Sequence, residues 1–177
     1  MQARYDADDF ARLLAALADG IAAVVPIDQP FNVVGIRTRG ELLARRIADL
    51  LAERGAPGIG YGVLDITLYR DDLSEIGPRP LVRPTVLDFD FSAKPLVLVD
   101  DVIFTGRTVR AALDALADFG RPAAVRLAAL IDRGGRELPI QPDAVALRLT
   151  TITAEQVVKV KMRERDGYDG VEIEARS

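Results

Sequence analysis

One stretch constrains the fold more than any other: the apolar run Leu96-Val97-Leu98-Val99 passes straight into two acids, Asp100 and Asp101, and then into Thr105-Gly106-Arg107-Thr108. A strand that is apolar at every position, rather than at every second one, belongs in a parallel sheet covered on both faces. Behind the turn, Val109, Ala112, Leu113 and Leu116 recur at helical spacing, and Gly120 marks the expected end of that helix. Residues 125–131 supply the next strand. Residues 95–131 therefore spell a βαβ unit, which commits the chain to an α/β architecture.

The flanks agree with that reading. Phe10, Leu13, Leu14, Leu17, Ile21 and Val24 form a helical stripe over residues 6–25, closed by Pro26. A short β-like run at 31–36 leads into Arg37-Thr38-Arg39-Gly40. A second helix carrying Leu42, Leu43, Ile47, Leu50 and Leu51 then stops near Gly55. Residues 62–69 read as a strand, and residues 157–162 and 171–173 as late strands. Between them, residues 70–92 are polar and punctuated by Pro78, Pro80 and Pro84, a long loop or loose hairpin of the kind that is usually functional. No repeat, low-complexity tract or linker interrupts the pattern, so one α/β domain over residues 1–177 with a mainly parallel sheet is the expectation.

Composition removes whole classes of chemistry. The 177 residues are 49% apolar and 28% charged, a globular balance. Mean hydropathy is only +0.13, and no apolar run approaches the roughly 20 residues of a membrane span. Asp6, Asp8 and Asp9 stand where an export signal would carry its apolar core, so a cytoplasmic address is expected. Without cysteine or histidine there is no thiolate nucleophile, imidazole base or soft-metal site. Any metal must be a hard cation held by oxygens, most simply Mg²⁺. A net charge of −4 argues against non-specific nucleic-acid binding.

Ligands of open α/β sheets bind at the carboxyl ends of the strands, and the unusual residues gather there. The Thr105–Thr108 turn offers backbone N–H groups, two hydroxyls and a positive helix end, which suit a phosphate monoester. Adjacent carboxylates beside it can grip vicinal sugar hydroxyls, directly or through Mg²⁺. Together they suggest a ribose 5-phosphate. A strand ending in two acids ahead of Thr-Gly is also ordinary βα-turn chemistry with a helix N-cap, and spacing alone leaves both readings open. No P-loop pattern occurs, Gly58-Ile59-Gly60-Tyr61-Gly62 has the wrong spacing for a dinucleotide fingerprint, and Asp88-Phe89-Asp90 follows too short a run for a phosphatase aspartate pair.

The segment from Val97 through Asp100-Asp101-Val102-Ile103-Phe104-Thr105-Gly106-Arg107-Thr108 to Val109 closely resembles the phosphoribosyl-pyrophosphate motif of the type I phosphoribosyltransferases. Three further segments, 34–40, 64–73 and 132–140, resemble the PyrR family of bifunctional pyrimidine-operon attenuators and uracil phosphoribosyltransferases. The resemblance implies a type I phosphoribosyltransferase fold: a central sheet flanked by helices, with a flexible loop and a small base-binding hood. It implies that Asp100 and Asp101 bind the ribose hydroxyls and Mg²⁺, and that Val102, Ile103, Phe104, Thr105, Gly106, Arg107 and Thr108 wrap the 5-phosphate. Thr38 and Arg39 would hold pyrophosphate, Arg39 joining Asp100 and Asp101 in catalysis. Arg70 and Arg79 would lie on the active-site cover, with Arg79 the expected substrate contact and Arg70 able to pair with Asp71 or Asp72. Asp132, Arg133 and Val157 would stand beside the base.

The implied reaction converts uracil and phosphoribosyl pyrophosphate into UMP and pyrophosphate. The implied regulation is binding of pyrimidine-operon mRNA under UMP or UTP control, in a homodimer or higher homo-oligomer. Two departures bear on the RNA. Gly135 stands where the family has histidine, and Gln141 and Leu147 replace basic residues in the loop that follows. The first helix carries only Arg12 as a cation, so phosphate contacts that drive RNA affinity are fewer. An active enzyme with reduced RNA control is therefore expected ahead of an RNA-binding nucleotide sensor with little catalysis.

Overall fold

A computed structural model describes residues 3–72, 81–90 and 94–176. Its centre is a five-stranded sheet in the order β3-β2-β4-β5-β6, formed by Gly60–Leu64, Asn32–Ile36, Pro95–Ile103, Ala124–Asp132 and Ala144–Arg148. Every neighbouring pair in it is parallel. The unbroken apolar run of β4 has the expected cause. Val97 and Val99 pack with α1 (Ala7–Val24) and α2 (Arg39–Glu53), whereas Leu96 and Leu98 pack with α3 (Arg107–Ala117) on the opposite face.

A second sheet, β1-β8-β7, is antiparallel and consists of Ala3–Tyr5, Gly170–Ala175 and Gln156–Lys161. It shares the α1/α2 core: Val158, Val160, Met162, Val171 and Ile173 are buried in the same cluster as Phe10, Leu43 and Val99. This smaller sheet is the hood of the expected architecture. The short helix α4, Arg163–Asp166, links β7 to β8.

Local chemistry explains the element ends. The Asp6 carboxylate accepts the N–H groups of Asp8 and Asp9, and Asp9 accepts that of Asp6 in return, so the acidic cluster is the capping box of α1. The start of α2 lies pressed onto the sheet. A Cβ on Gly35 would sit 2.3 Å from the Gly40 carbonyl, and one on Gly40 would sit 2.7 Å from that of Val99.

Four details differ from the sequence expectation. The strand expected at 62–69 ends at Leu64, because Asp65 turns the chain by accepting the N–H of Thr67, and Thr67–Tyr69 is a 3₁₀ turn. Helix α3 ends at Ala117 rather than at Gly120, and Leu113 is 40% exposed. Ala111 and Ala115 are buried on the core face in its place. β1 and β6 were not expected from pattern alone. Residues 81–90 return along β3 through a Val63–Val86 antiparallel bridge. No helix among the described residues is long and apolar enough to cross a membrane.

Candidate active site

The carboxyl ends of β2, β3, β4 and β5 bring four short segments to one rim: Thr38–Gly40, Asp65–Thr67, Asp100–Thr108 and Asp132–Gly135. Asp100, near the end of β4, is buried at 6% exposure, and its Oδ1 accepts the N–H of Asp101 at 2.9 Å. Burial, followed by the adjacent Asp101 charge, pushes the Asp100 carboxyl well above the ordinary carboxylate range. Asp101, only partly covered, stands beside it with its carboxylate toward the cleft.

Beyond the acids, Gly106 takes a left-handed conformation (φ +93°) and starts α3 without a side-chain cap. The N-terminus of α2, which begins after Thr38, also lacks a side-chain cap. Helix α1, remote from this rim, has a complete capping box. The N-termini of α2 and α3 at this rim thus lack an N-cap side-chain acceptor, whereas that of α1 has its own. The alternative reading of the Thr-Gly turn as simple capping chemistry is reduced to one long bond, from the Arg107 N–H to the Thr105 hydroxyl at 3.3 Å. A small cavity of about 110 Å³ runs between Asp100 and the 102–109 segment, with Thr105, Gly106 and Thr108 in its wall.

On the other side of the acids, Asp101 and Arg39 share a cleft of about 360 Å³ with residues 158–161 of β7. Arg39 reaches this cleft held by Asp166 (Nη2 to Oδ1, 3.1 Å). Arg37 does not join it: its guanidinium donates to Glu41 and to the Pro84 carbonyl, both at 3.0 Å. The Arg37–Thr38 peptide is cis.

Other expected residues lie at the rim with their side chains otherwise engaged. Arg107 pairs with Asp71 at 2.8 Å and Glu137 at 2.7 Å, leaving its backbone rather than its guanidinium for the turn. Arg70 pairs with Asp72 at 2.7 Å. Arg133 lies 3.9 Å over the Phe104 ring and donates to the carbonyls of Gln156 and Thr153, so it joins β5 to the edge of the hood beside half-buried Val157. Asp132 is buried between Arg136 (2.9 Å) and Arg148 (2.8 Å) and is a structural hub. At Gly135 (φ +77°), a Cβ would lie 2.4 Å from Phe104 Cε2, so the lack of a side chain here is what leaves room for the ring. Arg79 lies outside the described residues.

The model of the phosphoribosyl transferase domain matches residues 6–165. Proteins named bifunctional protein PyrR match almost end to end. That of Thermus thermophilus is 52% identical over 168 residues, 95% of this chain and 92% of the relative. That of Chloroflexus aurantiacus is 53% identical over 167 residues, 94% and 91% of the two chains, and that of Deinococcus deserti is 50% identical over 167 residues, 94% and 91%. The chain belongs to the PyrR family. Its fold is that of solved phosphoribosyltransferases: an HGPRT-ase from Leishmania tarentolae, crystallised with GMP, superposes with TM-score 0.66 at 15% identity, covering 98% of this chain and 94% of that one. A hypoxanthine-guanine phosphoribosyltransferase from Bacillus anthracis gives 0.64 at 14% identity, covering 94% of each.

Against this PyrR framework, sequence reasoning missed Asp65, Arg83, Arg165 and Asp166. Asp65 sat in plain view inside a family segment, as a lone acid at a strand end. The other three had no motif around them: Arg83 and Arg165 reach the rim only through the fold, and Asp166 meets Arg39 across 127 positions.

Proposed function

We propose that this PyrR-family phosphoribosyltransferase moves the 5-phosphoribosyl group of phosphoribosyl pyrophosphate onto uracil. It is a uracil phosphoribosyltransferase of the PyrR type: the C1–O bond to pyrophosphate breaks, the bond from C1 to the uracil nitrogen forms, and the nitrogen loses its proton. The observation that carries this reading is the pair of uncapped helix N-termini, α2 and α3, flanking buried Asp100 and cleft-lining Asp101 at one sheet edge.

In this reading the amides and hydroxyls of residues 102–108 hold the 5-phosphate, and Asp100 and Asp101 hold the ribose hydroxyls. Thr38 and Arg39 take the pyrophosphate, and the base enters toward Arg133 and Val157. An oxocarbenium-like centre needs its reactants fixed and the departing charge neutralised, and Arg39 supplies a cation for that without any histidine. The acid pair fits Mg²⁺: its oxygens are hard donors, and Asp100, buried beside the adjacent acid, has no ion pair among the described residues. No cluster of three or more potential metal ligands occurs among the described residues, so Asp100 and Asp101 would share the ion with substrate oxygens. When bound, it would add charge stabilisation at the diphosphate. Closure of the 70–92 loop, with Arg79, would exclude water as a competing nucleophile.

The reading extends to one domain over residues 1–177, a cytoplasmic address and a homodimer or higher homo-oligomer. RNA control is reduced, because α1 carries only Arg12 and Gln141 and Leu147 replace cations. Radiolabelled uracil with phosphoribosyl pyrophosphate and Mg²⁺ tests catalysis, and a filter-binding titration with pyrimidine-operon leader RNA, with and without UMP or UTP, tests regulation. UMP formation with weak RNA binding is expected. Tight, nucleotide-dependent RNA binding without UMP formation would overturn the reading in favour of a sensor.

A further inference from the structure

Thr38 also lines a cavity of about 320 Å³ that has Arg37, Asp65, Arg70, Arg83 and Arg165 in its wall. Arg37 and Arg70 are already paired with Glu41 and Asp72. Arg83 and Arg165 are different: neither guanidinium has an ion pair among the described residues. They reach the same space from unrelated parts of the chain, one from residues 81–90 and the other from α4, the link between β7 and β8. Two unneutralised guanidinium groups beside an uncapped helix N-terminus suit an oxyanion of multiple charge.

Arg83 is also fixed in place. Asp65, 9% exposed, accepts the Arg83 N–H through Oδ2 at 2.8 Å and the Thr67 N–H through Oδ1 at 2.8 Å, while its own N–H donates to the Thr85 hydroxyl at 3.0 Å. Arg37 holds the neighbouring Pro84 carbonyl. The root of the returning limb is thereby riveted to the end of β3 and to the turn that carries Thr38.

We propose that Arg83 and Arg165 form a two-sided clamp for the diphosphate of the substrate and product, and that Asp65 is the positioning residue that sets Arg83 in it. The inference rests on the phosphoribosyl-transfer reading, but its test does not need turnover. Binding of Mg²⁺-pyrophosphate and, separately, of UMP is measured by calorimetry for wild type, Arg83→Ala, Arg165→Ala, Asp65→Asn and the Asp65→Asn/Arg83→Ala double variant. UMP carries no diphosphate and serves as the internal control.

Each arginine variant is expected to weaken pyrophosphate binding about tenfold or more, the scale of one lost charge-assisted bond, with UMP affinity within about twofold of wild type. The double variant is expected to be no weaker than Arg83→Ala, since Asp65 acts only through that side chain. Unchanged pyrophosphate affinity, or equal losses for pyrophosphate and UMP, overturns the clamp. Additive losses in the double variant overturn the role of Asp65. A wild type that binds both ligands yet forms no UMP from uracil refutes the reading of the reaction and leaves the clamp to be decided by the same titrations.

Discussion

At the scale of single residues, the rim separates groups that line its clefts from groups that hold those in place. Asp101 lines the central cleft with Arg39, and neither is part of the buried hydrophobic core. Asp101→Asn and Arg39→Ala are therefore expected to lower UMP formation by about two orders of magnitude or more, with far-UV circular dichroism and melting temperature near those of wild type. Near-normal turnover in either variant would remove it from the chemistry. Asp65 belongs to the second group and carries a pH signature. Burial raises its carboxyl, but the hydroxyl and N–H of Thr67, the N–H of Arg83 and the charge of Arg37 outweigh that and lower it overall. A carboxyl lower in the folded than in the unfolded state stabilises above its unfolded value, about 3.9, and loses that contribution as pH falls through the folded one. Asp65→Asn should then cost about 1–3 kcal/mol near neutrality, the scale of a buried amide left without its acceptor. The gap from wild type should close as urea titrations move below about pH 4. A gap independent of pH would show that the Asp65 charge contributes nothing. Identity and direction of side chains were unequally legible here. Asp100, Asp101, Thr38 and the Thr105–Thr108 turn are contiguous at strand ends, where pattern and chemistry coincide. That Arg107 faces Asp71 and Glu137, or that Arg39 is held by Asp166, depends on partners 30 to 127 positions away.

At the scale of elements, what places the site is the closeness of α2 to the sheet. Gly35 in β2 and Gly40 in α2 exist as glycines because the helix N-terminus rests on backbone atoms of β2 and β4, with no space for even one methyl group. Gly35→Ala would drive its Cβ to 2.3 Å from the Gly40 carbonyl and 2.5 Å from Glu41 Cα, both backbone atoms that cannot swing aside. Helix α2 must shift outward, at a cost of about 1–3 kcal/mol or more for overpacking. Because Thr38 and Arg39 ride on that turn, the expected outcome is a lowered urea midpoint together with a raised KM for phosphoribosyl pyrophosphate. A variant that loses stability yet keeps its KM would show that the turn tolerates the shift. The central elements were readable because β4 and α3 advertise their burial through periodicity. β6 was not, since its Ala144-Val145-Ala146-Leu147-Arg148 is a half-buried edge strand with only Ala144 fully inside. β1 is too short to have a period at all, and becomes a strand only because β8 offers it an edge.

At the scale of the molecule, two sheets of opposite character are joined over the cleft by a common core and by charge. Met162, fully buried, stands at the end of β7 in the same cluster as Leu43 and Val99, which belong to the parallel sheet and its helix. Around it, Asp166 takes the Met162 N–H and the Arg39 guanidinium, and Arg46 on α2 pairs with Glu164 at 2.6 Å and Asp169 at 2.8 Å. Largely covered pairs of this kind gain little net of the cost of taking both charges out of water, so the apolar contact should dominate. If so, the hood cannot melt by itself, since opening it strips one face of α1 and α2. Met162→Ala should then destabilise the whole chain by about 2–5 kcal/mol, as for other buried large-to-small changes. In urea, the expected result is one cooperative transition by circular dichroism and by tyrosine fluorescence, shifted to lower denaturant with its slope unchanged. Added salt should move that midpoint little, because the ion pairs are the minor part. A separate early phase, or a shallower slope in the variant, would mean that the hood and the parallel sheet are independent folding units, and that the cleft between them can open without unfolding either.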